Sequence, residues 1–274
     1  MRRALIVLVM LLGCGSKREP APATQSRIVS LTPSATEIVA ALGATSELVG
    51  VDQFSEYPPE VEKLPKVGSF LQPNLEVIVG LAPTLVIVDD IHGQVAGALN
   101  DRGLTTIECA MHALPDVKQA LRTVGAKLGR TKQADAAIED IDHTLDAAAA
   151  KRPARHPRVL VIIDRESGGL GNLVAAGPGS WVDELLAVVG GDNILAASGV
   201  RYPKISLEEI LTGDPQVILD LSFDKNEARK ASAWKQLDVT AVRENRVRML
   251  SEPFLRGPSP RVRQALAALA TAIQ

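Results

Sequence analysis

The most chemically versatile side chains are four histidines, His92, His112, His143 and His156, and two cysteines, Cys14 and Cys109. No HExxH, GxSxG or paired-cysteine pattern connects them, so neither a helix-borne zinc site nor a nucleophile elbow is encoded locally. His143 falls in a long helical pattern and His156 stands beside Pro157, both positions for solvated side chains. His92 ends Asp89-Asp90-Ile91-His92 after a strand-like run and is placed to face a cleft, where imidazole serves as an axial metal ligand. With Asp164 and Glu166 it is also the available acid–base set for a hydrolase or transferase. Cys109 closes an apolar run and reads as a small core residue, so no internal disulfide or cysteine metal cluster is expected. The glycines at 168, 169 and 171 lack the GxGxxG spacing and the Gly-Lys-Ser/Thr ending of phosphate loops. Bond-making chemistry finds little support here, and no cofactor or resident metal is expected.

Binding chemistry finds more. The aromatics Phe54, Tyr57, Phe70, Trp181, Tyr202, Phe223, Trp234 and Phe254 all fall in predicted loops or at element ends, which leaves the core to aliphatic residues. That distribution predicts a lined cleft for a large, partly flat ligand. Tyr57, Phe70, Tyr202 and Phe254 carry this expectation, whereas Trp234 and Phe223 suit plugging a lobe edge equally well. Glu76 and Glu208 each stand two residues after a cap-type residue, Asn74 or Ser206. A first-turn carboxylate stabilises its helix by about 0.3–1 kcal/mol. Their equivalent placement also suggests two matched anions that dock on paired basic sites of a partner.

The elements that must hold these residues alternate. Strand patterns at 27–31, 47–51, 84–88 and 104–108 are separated by helical patterns at 35–42, 75–81 and 92–100. After the middle of the chain, strands at 158–163, 216–221 and 246–250 alternate with helices at 182–189, 207–211 and 260–273. Such alternation predicts an α/β fold with parallel sheets flanked by helices. Between the halves, 131–152 carries Ala134, Ala137, Ile138, Ile141, Leu145 and Ala148 in one stripe with no Gly or Pro, a rigid connecting helix. The halves repeat. Glu37-Ile38-Val39-Ala40-Ala41-Leu42-Gly43 parallels Glu184-Leu185-Leu186-Ala187-Val188-Val189-Gly190. Asn74-Leu75-Glu76 with Pro83 parallels Ser206-Leu207-Glu208 with Pro215 at the same spacing. Two similar, Rossmann-like lobes (27–130 and 153–274) joined by one long helix leave a ligand cleft between them.

Residues 1–13 read as a signal peptide. Arg2 and Arg3 precede an apolar run too short for a membrane span, and Leu11-Leu12-Gly13-Cys14 resembles a lipobox, with Cys14 the lipidated residue. Residues 14–26 have the composition of an extended tether. A chain held outside the cytoplasm by a lipid on a bacterial membrane is expected, monomeric and touching the membrane only through that anchor. A formal net charge of −2 and a pI near 6.1 supply no field for nucleic acid.

Several segments together resemble periplasmic binding proteins of the vitamin B12, haem and siderophore class. They are Arg27-Ile28-Val29-Ser30-Leu31-Thr32-Pro33-Ser34-Ala35-Thr36-Glu37, Gly50-Val51 through Tyr57-Pro58-Pro59, and Val67-Gly68-Ser69-Phe70. Leu81-Ala82-Pro83-Thr84-Leu85, Gly190-Gly191-Asp192-Asn193-Ile194 and Arg256-Gly257-Pro258-Ser259-Pro260-Arg261 continue the resemblance. Within the class it leans to the cobalamin-binding branch. It implies a substrate-binding lipoprotein of an ABC importer that is not an enzyme and hands cobalamin, or a ferric siderophore or related chelate, to the membrane subunits. It places Tyr57, Phe70, Tyr202 and Phe254 at the ligand, with Trp181 beside them and Arg256 as a polar contact. It makes Glu76 and Glu208 the carboxylates that meet transporter arginines. Phe70 stands where haem-binding relatives carry a ligating tyrosine, and the cysteine pair of some cobalamin binders is missing.

Overall fold

The computed structural model describes residues 26–222 and 232–274. Cys14, the leader, almost all of the tether and Phe223 lie outside the described residues.

The first half runs β1 (Ile28–Ser30), α1 (Pro33–Ala41), β2 (Leu48–Val51), α2 (Leu75–Gly80), β3 (Leu85–Val88), α3 (Gly93–Asn100), β4 (Thr106–Glu108) and α4 (Leu114–Lys127). Its strands are all parallel, in the order β2-β1-β3-β4. Local chemistry starts the helices where the alternation placed them. Thr32 accepts from the Ala35 N–H at 3.0 Å, and Pro33 opens α1 with no N–H to lose. α5 (Thr131–Ala149) follows directly. It ends three residues short of the expected stop, because the residue before Pro153 is biased away from helical backbone.

The second half adds β5 (Arg158–Asp164), β6 (Val174–Ala175), α6 (Trp181–Val189), β7 (Asp192–Asn193), α7 (Leu207–Gly213) and β8 (Val217–Asp220). It closes with α8 (Thr240–Arg243), β9 (Val247–Met249), α9 (Pro253–Arg256) and α10 (Val262–Ala272). Its sheet is ordered β6-β5-β8-β9, with β7 parallel to the start of β5. One pairing departs from the parallel pattern: β6, a two-residue strand, lies antiparallel to the end of β5.

Side chains alternate across both sheets with the strand period of two. Ile28, Leu85 and Ile87 in the first sheet, and Val159, Val161, Val217 and Leu219 in the second, enter one continuous core. That core also holds the apolar faces of α1, α4, α5, α6 and α10. Val29, Val86 and Val88 face a separate outer cluster with Ile78 and Leu99. Leu160, Ile162 and Ile218 face another, which includes Trp234. The molecule is thus two sheets sharing a central layer of helices, and α5 packs within that layer against α1, α4, α6 and α10. The helix α4 went unread in the sequence, although Val117, Ala120, Leu121 and Val124 are buried along one face at helical spacing.

Candidate ligand-binding site and the contacts between the lobes

The aromatic residues separate into clusters held by different elements. Tyr57 lies in the loop after β2. Beneath that loop runs a buried polar chain in which the Ser30 and Thr36 hydroxyls meet at 2.6 Å and those of Thr36 and Ser55 at 2.7 Å. Ser55 donates in turn to Asp52, which also accepts from the Phe54 N–H at 2.9 Å. The ring of Tyr57 lies under the Arg261 guanidinium, 4.1 Å from its centroid, and the same guanidinium sits 4.9 Å from the Phe254 ring. Arg261 therefore joins an aromatic of the first half to one of the second.

Trp181 requires a correction. It is 1% exposed and belongs to the central core rather than to an open surface. Its spacing explains the burial, since Trp181, Leu185 and Val189 stand four apart on the inner face of α6. The indole N–H donates to the Phe254 carbonyl at 3.0 Å, so Trp181 reaches the site only by holding Phe254 in place. Trp234 is likewise fully buried. Phe54, Tyr57 and Tyr202 remain exposed, and Phe70 and Phe254 are half-buried.

Phe70 is fixed from two sides. Gly68 adopts φ +102°, and a Cβ there would lie 2.4 Å from the Gln72 carbonyl, so the turn that presents Phe70 admits only glycine. The Phe70 and His92 rings meet edge-on with centroids 5.4 Å apart. His92 is buried, and both ring nitrogens are engaged: Nδ1 accepts from the Asp89 N–H at 3.0 Å and Nε2 lies 2.6 Å from the Phe70 carbonyl. Because Nδ1 accepts, Nε2 carries the proton and donates. The expectation of His92 as an axial ligand or an acid–base group is corrected on this ground. Asp164 and Glu166 are exposed in the other half and do not join it.

Asp89, Asp90 and His112 form a group whose ligand-type atoms lie within 4.8 Å of one another, brought together from the loops after β3 and β4. The sequence reading recognised no such cluster, because 22 positions separate Asp90 from His112. Its members satisfy one another. Burial, aided by a hydrogen bond to Asp90, pushes the Asp89 carboxyl up to about 7. The bonds from Asp89 and His112 hold Asp90 below the usual carboxylate range, with His112 Nε2 at 2.8 Å.

Tyr202 is carried by a segment pinned beside β6 through Ala175 N–H to Pro203 carbonyl at 3.0 Å and Gly177 N–H to Arg201 carbonyl at 2.8 Å. A Cβ on Gly177 would lie 2.0 Å from the Val200 carbonyl, which makes glycine obligatory there. Burial raises the Tyr202 phenol, Arg201 opposes that, and Glu184 adds to it. Arg256 is exposed at the end of α9, where its Nη2 donates to the Ser251 carbonyl at 3.1 Å. Desolvation pulls its guanidinium down, against Glu56 of the first half and Glu252 of its own.

Two grooves cut the surface, the first beside the Tyr57–Arg261 contact. One of about 800 Å³ runs along α1, α5 and the start of α10, lined by Glu37, Tyr57, Asp140 and Arg261. One of about 1030 Å³ follows the ends of α5 and α10, lined by Lys151, Arg155, Arg246 and Thr271. Of the ligand residues expected from sequence, Tyr57 alone lines either of them. The strand-end loops that carry the aromatics are the better place for a ligand in a parallel-sheet protein.

Glu76 and Glu208 are both exposed in the first turns of α2 and α7. The caps match the expectation: the Asn74 side chain accepts from the Val77 N–H at 3.1 Å, and Ser206 from the Glu209 N–H at 3.2 Å.

Over residues 28–253 the chain matches the family described as periplasmic binding protein. The chain belongs to that family. Periplasmic binding proteins of this kind are non-enzymatic solute carriers that deliver small molecules to ABC permeases. This one is 28% identical over 256 residues to a vitamin B12-binding protein of Vibrio cholerae, covering 92% of this chain and 90% of that one. Among solved structures it is similar to a periplasmic heme binding protein from Pseudomonas aeruginosa, with a TM-score of 0.79 and 31% identity over 90% of this chain and 92% of that one. The periplasmic vitamin B12 binding protein BtuF of Vibrio cholerae superposes with a TM-score of 0.71 at 26% identity, over 90% of this chain and 96% of that one. The two-sheet architecture of this periplasmic binding protein is that of its structural neighbours. Among its described residues, no helix is long and apolar enough to cross a membrane.

Proposed function

We propose that this periplasmic binding protein captures cobalamin or a related corrinoid and presents it to the membrane subunits of an ABC importer. The observation that carries the reading is the near end-to-end similarity to a protein named for vitamin B12 binding. The half-exposed aromatics Tyr57, Phe70, Tyr202 and Phe254, with Arg256, form the ligand-facing set, and binding comes mainly from buried apolar and aromatic area. No bond is made or broken, so the protein is not an enzyme. Cys14 carries a lipid that holds the chain on the outer side of a membrane, and the protein acts as a monomer. A ferric siderophore or related chelate is an alternative cargo for the same carrier. Haem is the second reading, favoured by the higher TM-score of the haem-binding neighbour. Against it, Phe70 has no ligating atom and the His92 nitrogens are both engaged.

Calorimetric titration of residues 26–274 with cyanocobalamin is expected to show saturable one-to-one binding at about 1 μM or tighter, about −8 kcal/mol. Hemin bound more tightly than cyanocobalamin would overturn the corrinoid assignment in favour of haem. Glu76 and Glu208, one on each half, dock on paired arginines of the importer. In cells, Glu76→Ala with Glu208→Ala is expected to abolish uptake while the purified variant binds as before, and normal uptake would remove the docking role.

A further inference from the structure

The two helices that repeat in sequence, α1 and α6, each send one carboxylate across to the other half of the molecule. Glu37 and Glu184 occupy equivalent positions in the repeat, which ends in both copies at a glycine with left-handed backbone, Gly43 at φ 70° and Gly190 at φ 87°. Glu37 is 7% exposed. Its Oε2 accepts from Arg261 Nε at 3.1 Å and from the Ser259 hydroxyl, and its Oε1 accepts from Arg261 Nη2. Ser259 and Arg261 lead directly into α10, the last helix of the second half. Glu184 makes the converse contact. Its Oε2 accepts from the Leu114 N–H at 2.6 Å, and Leu114 is the first residue of α4, the last helix of the first half. The Ala113 cap position of α4 has no side-chain oxygen, so the Glu184 carboxylate meets a backbone donor at the positive end of that helix.

We infer that Glu37 and Glu184 are a reciprocal pair of interlobe clasps that fix the separation of the two halves and thereby position the ligand-facing aromatics. Each clasp lies next to residues of that set. Arg261, held by Glu37, carries the rings of Tyr57 and Phe254 on its guanidinium. Glu184 follows Trp181, which holds the Phe254 carbonyl, by three residues on α6, and its charge acts on Tyr202. An ordinary buried ion pair would explain Glu37 alone. The crossed repetition at the equivalent residue of the other half, to the equivalent end of a terminal helix, is what a device setting one angle requires. The link to binding rests on the carrier function proposed above, whereas the mechanical role does not.

The test is a distance measurement between spin labels at Asp101→Cys in the first half and Glu244→Cys in the second, both exposed positions. Cys109 is buried, its thiol pushed up to about 12, and it escapes labelling. In the ligand-free protein, Glu37→Ala with Glu184→Ala is expected to broaden the interlobe distance distribution by about twofold, with each single variant intermediate. Cyanocobalamin affinity is expected to fall by about tenfold through lost pre-organisation. An unchanged distribution in the folded double variant would overturn the clasps, since loss of stability alone leaves the native separation intact. Should the double variant fail to fold, Glu184→Ala carries the test, because it strands no buried cation, and an unaltered distribution there overturns the proposal equally. If wild-type protein does not bind cyanocobalamin, the corrinoid assignment falls while the distance measurement still decides the clasps.

Discussion

Replacing Arg165 with methionine is expected to lower folding stability by about 3–5 kcal/mol, the effect of breaking a buried ion pair from one side. Arg165 Nε and Asp220 Oδ2 lie 2.8 Å apart at the ends of the neighbouring strands β5 and β8, with side chains 1% and 0% exposed. Asp220 also accepts from Trp234 Nε1 at 2.9 Å and from the Ser222 N–H at 3.1 Å. Without the guanidinium these neutral donors remain around a carboxylate that water cannot reach, and the ion pair with Arg165 is lost. For a protein of this size the melting temperature should fall by roughly 10 °C, at about 2–4 °C per kcal/mol. Adding Asp220→Asn to the methionine variant should recover part of the loss, since it removes a buried carboxylate charge whose pairing with Arg165 is gone. Urea denaturation of both variants measures this, and a single-variant loss below about 1 kcal/mol would mean that the site is solvated.

Trp181→Ala should be comparably damaging, about 3–5 kcal/mol, because it empties a large volume where α6 faces the central layer. Trp181→Phe keeps most of the apolar contact and removes the hydrogen bond to Phe254, so its loss should be nearer about 1–2 kcal/mol. The comparison separates packing from positioning. A residue that lines an open cleft would show the reverse, with affinity falling and the denaturation midpoint unmoved.

The alternation of strands and helices was readable because most strands are short β-branched runs and several helices carry their own start signal. Asn74 and Ser206 mark boundaries that the structure keeps. The central rod α5 was readable for the same reason, since its stripe runs unbroken by glycine or proline. The helix α4 was missed although its signal was present: Pro115 and Asp116 open it, and Val117, Ala120, Leu121 and Val124 follow at helical spacing. Trp181 was misplaced because aromatic type was weighed above periodicity, when its four-residue spacing with Leu185 and Val189 pointed inward. The pairing of Glu37 with Arg261 could not be read at all. It joins residues 224 positions apart, and nothing local in either segment specifies the other. The same holds for Asp90 and His112, which meet only because β3 and β4 are neighbours in the sheet.

The central helical layer is assembled from segments near both ends of the chain, which sets the order in which folding can finish. α5 can cover α1 and α4 soon after those helices form, because it follows them directly. The rest of its apolar stripe must wait for α6 and for α10, whose Val262, Ala265, Leu266 and Leu269 are among the last apolar residues of the sequence. Until they arrive, a partly grown chain presents an uncovered hydrophobic face, the state most open to aggregation and to capture by holding chaperones. Closure of the shared core is then a late, long-range event with a substantial loop-closure entropy. A deletion confined to α10 should harm the whole molecule rather than the second half alone.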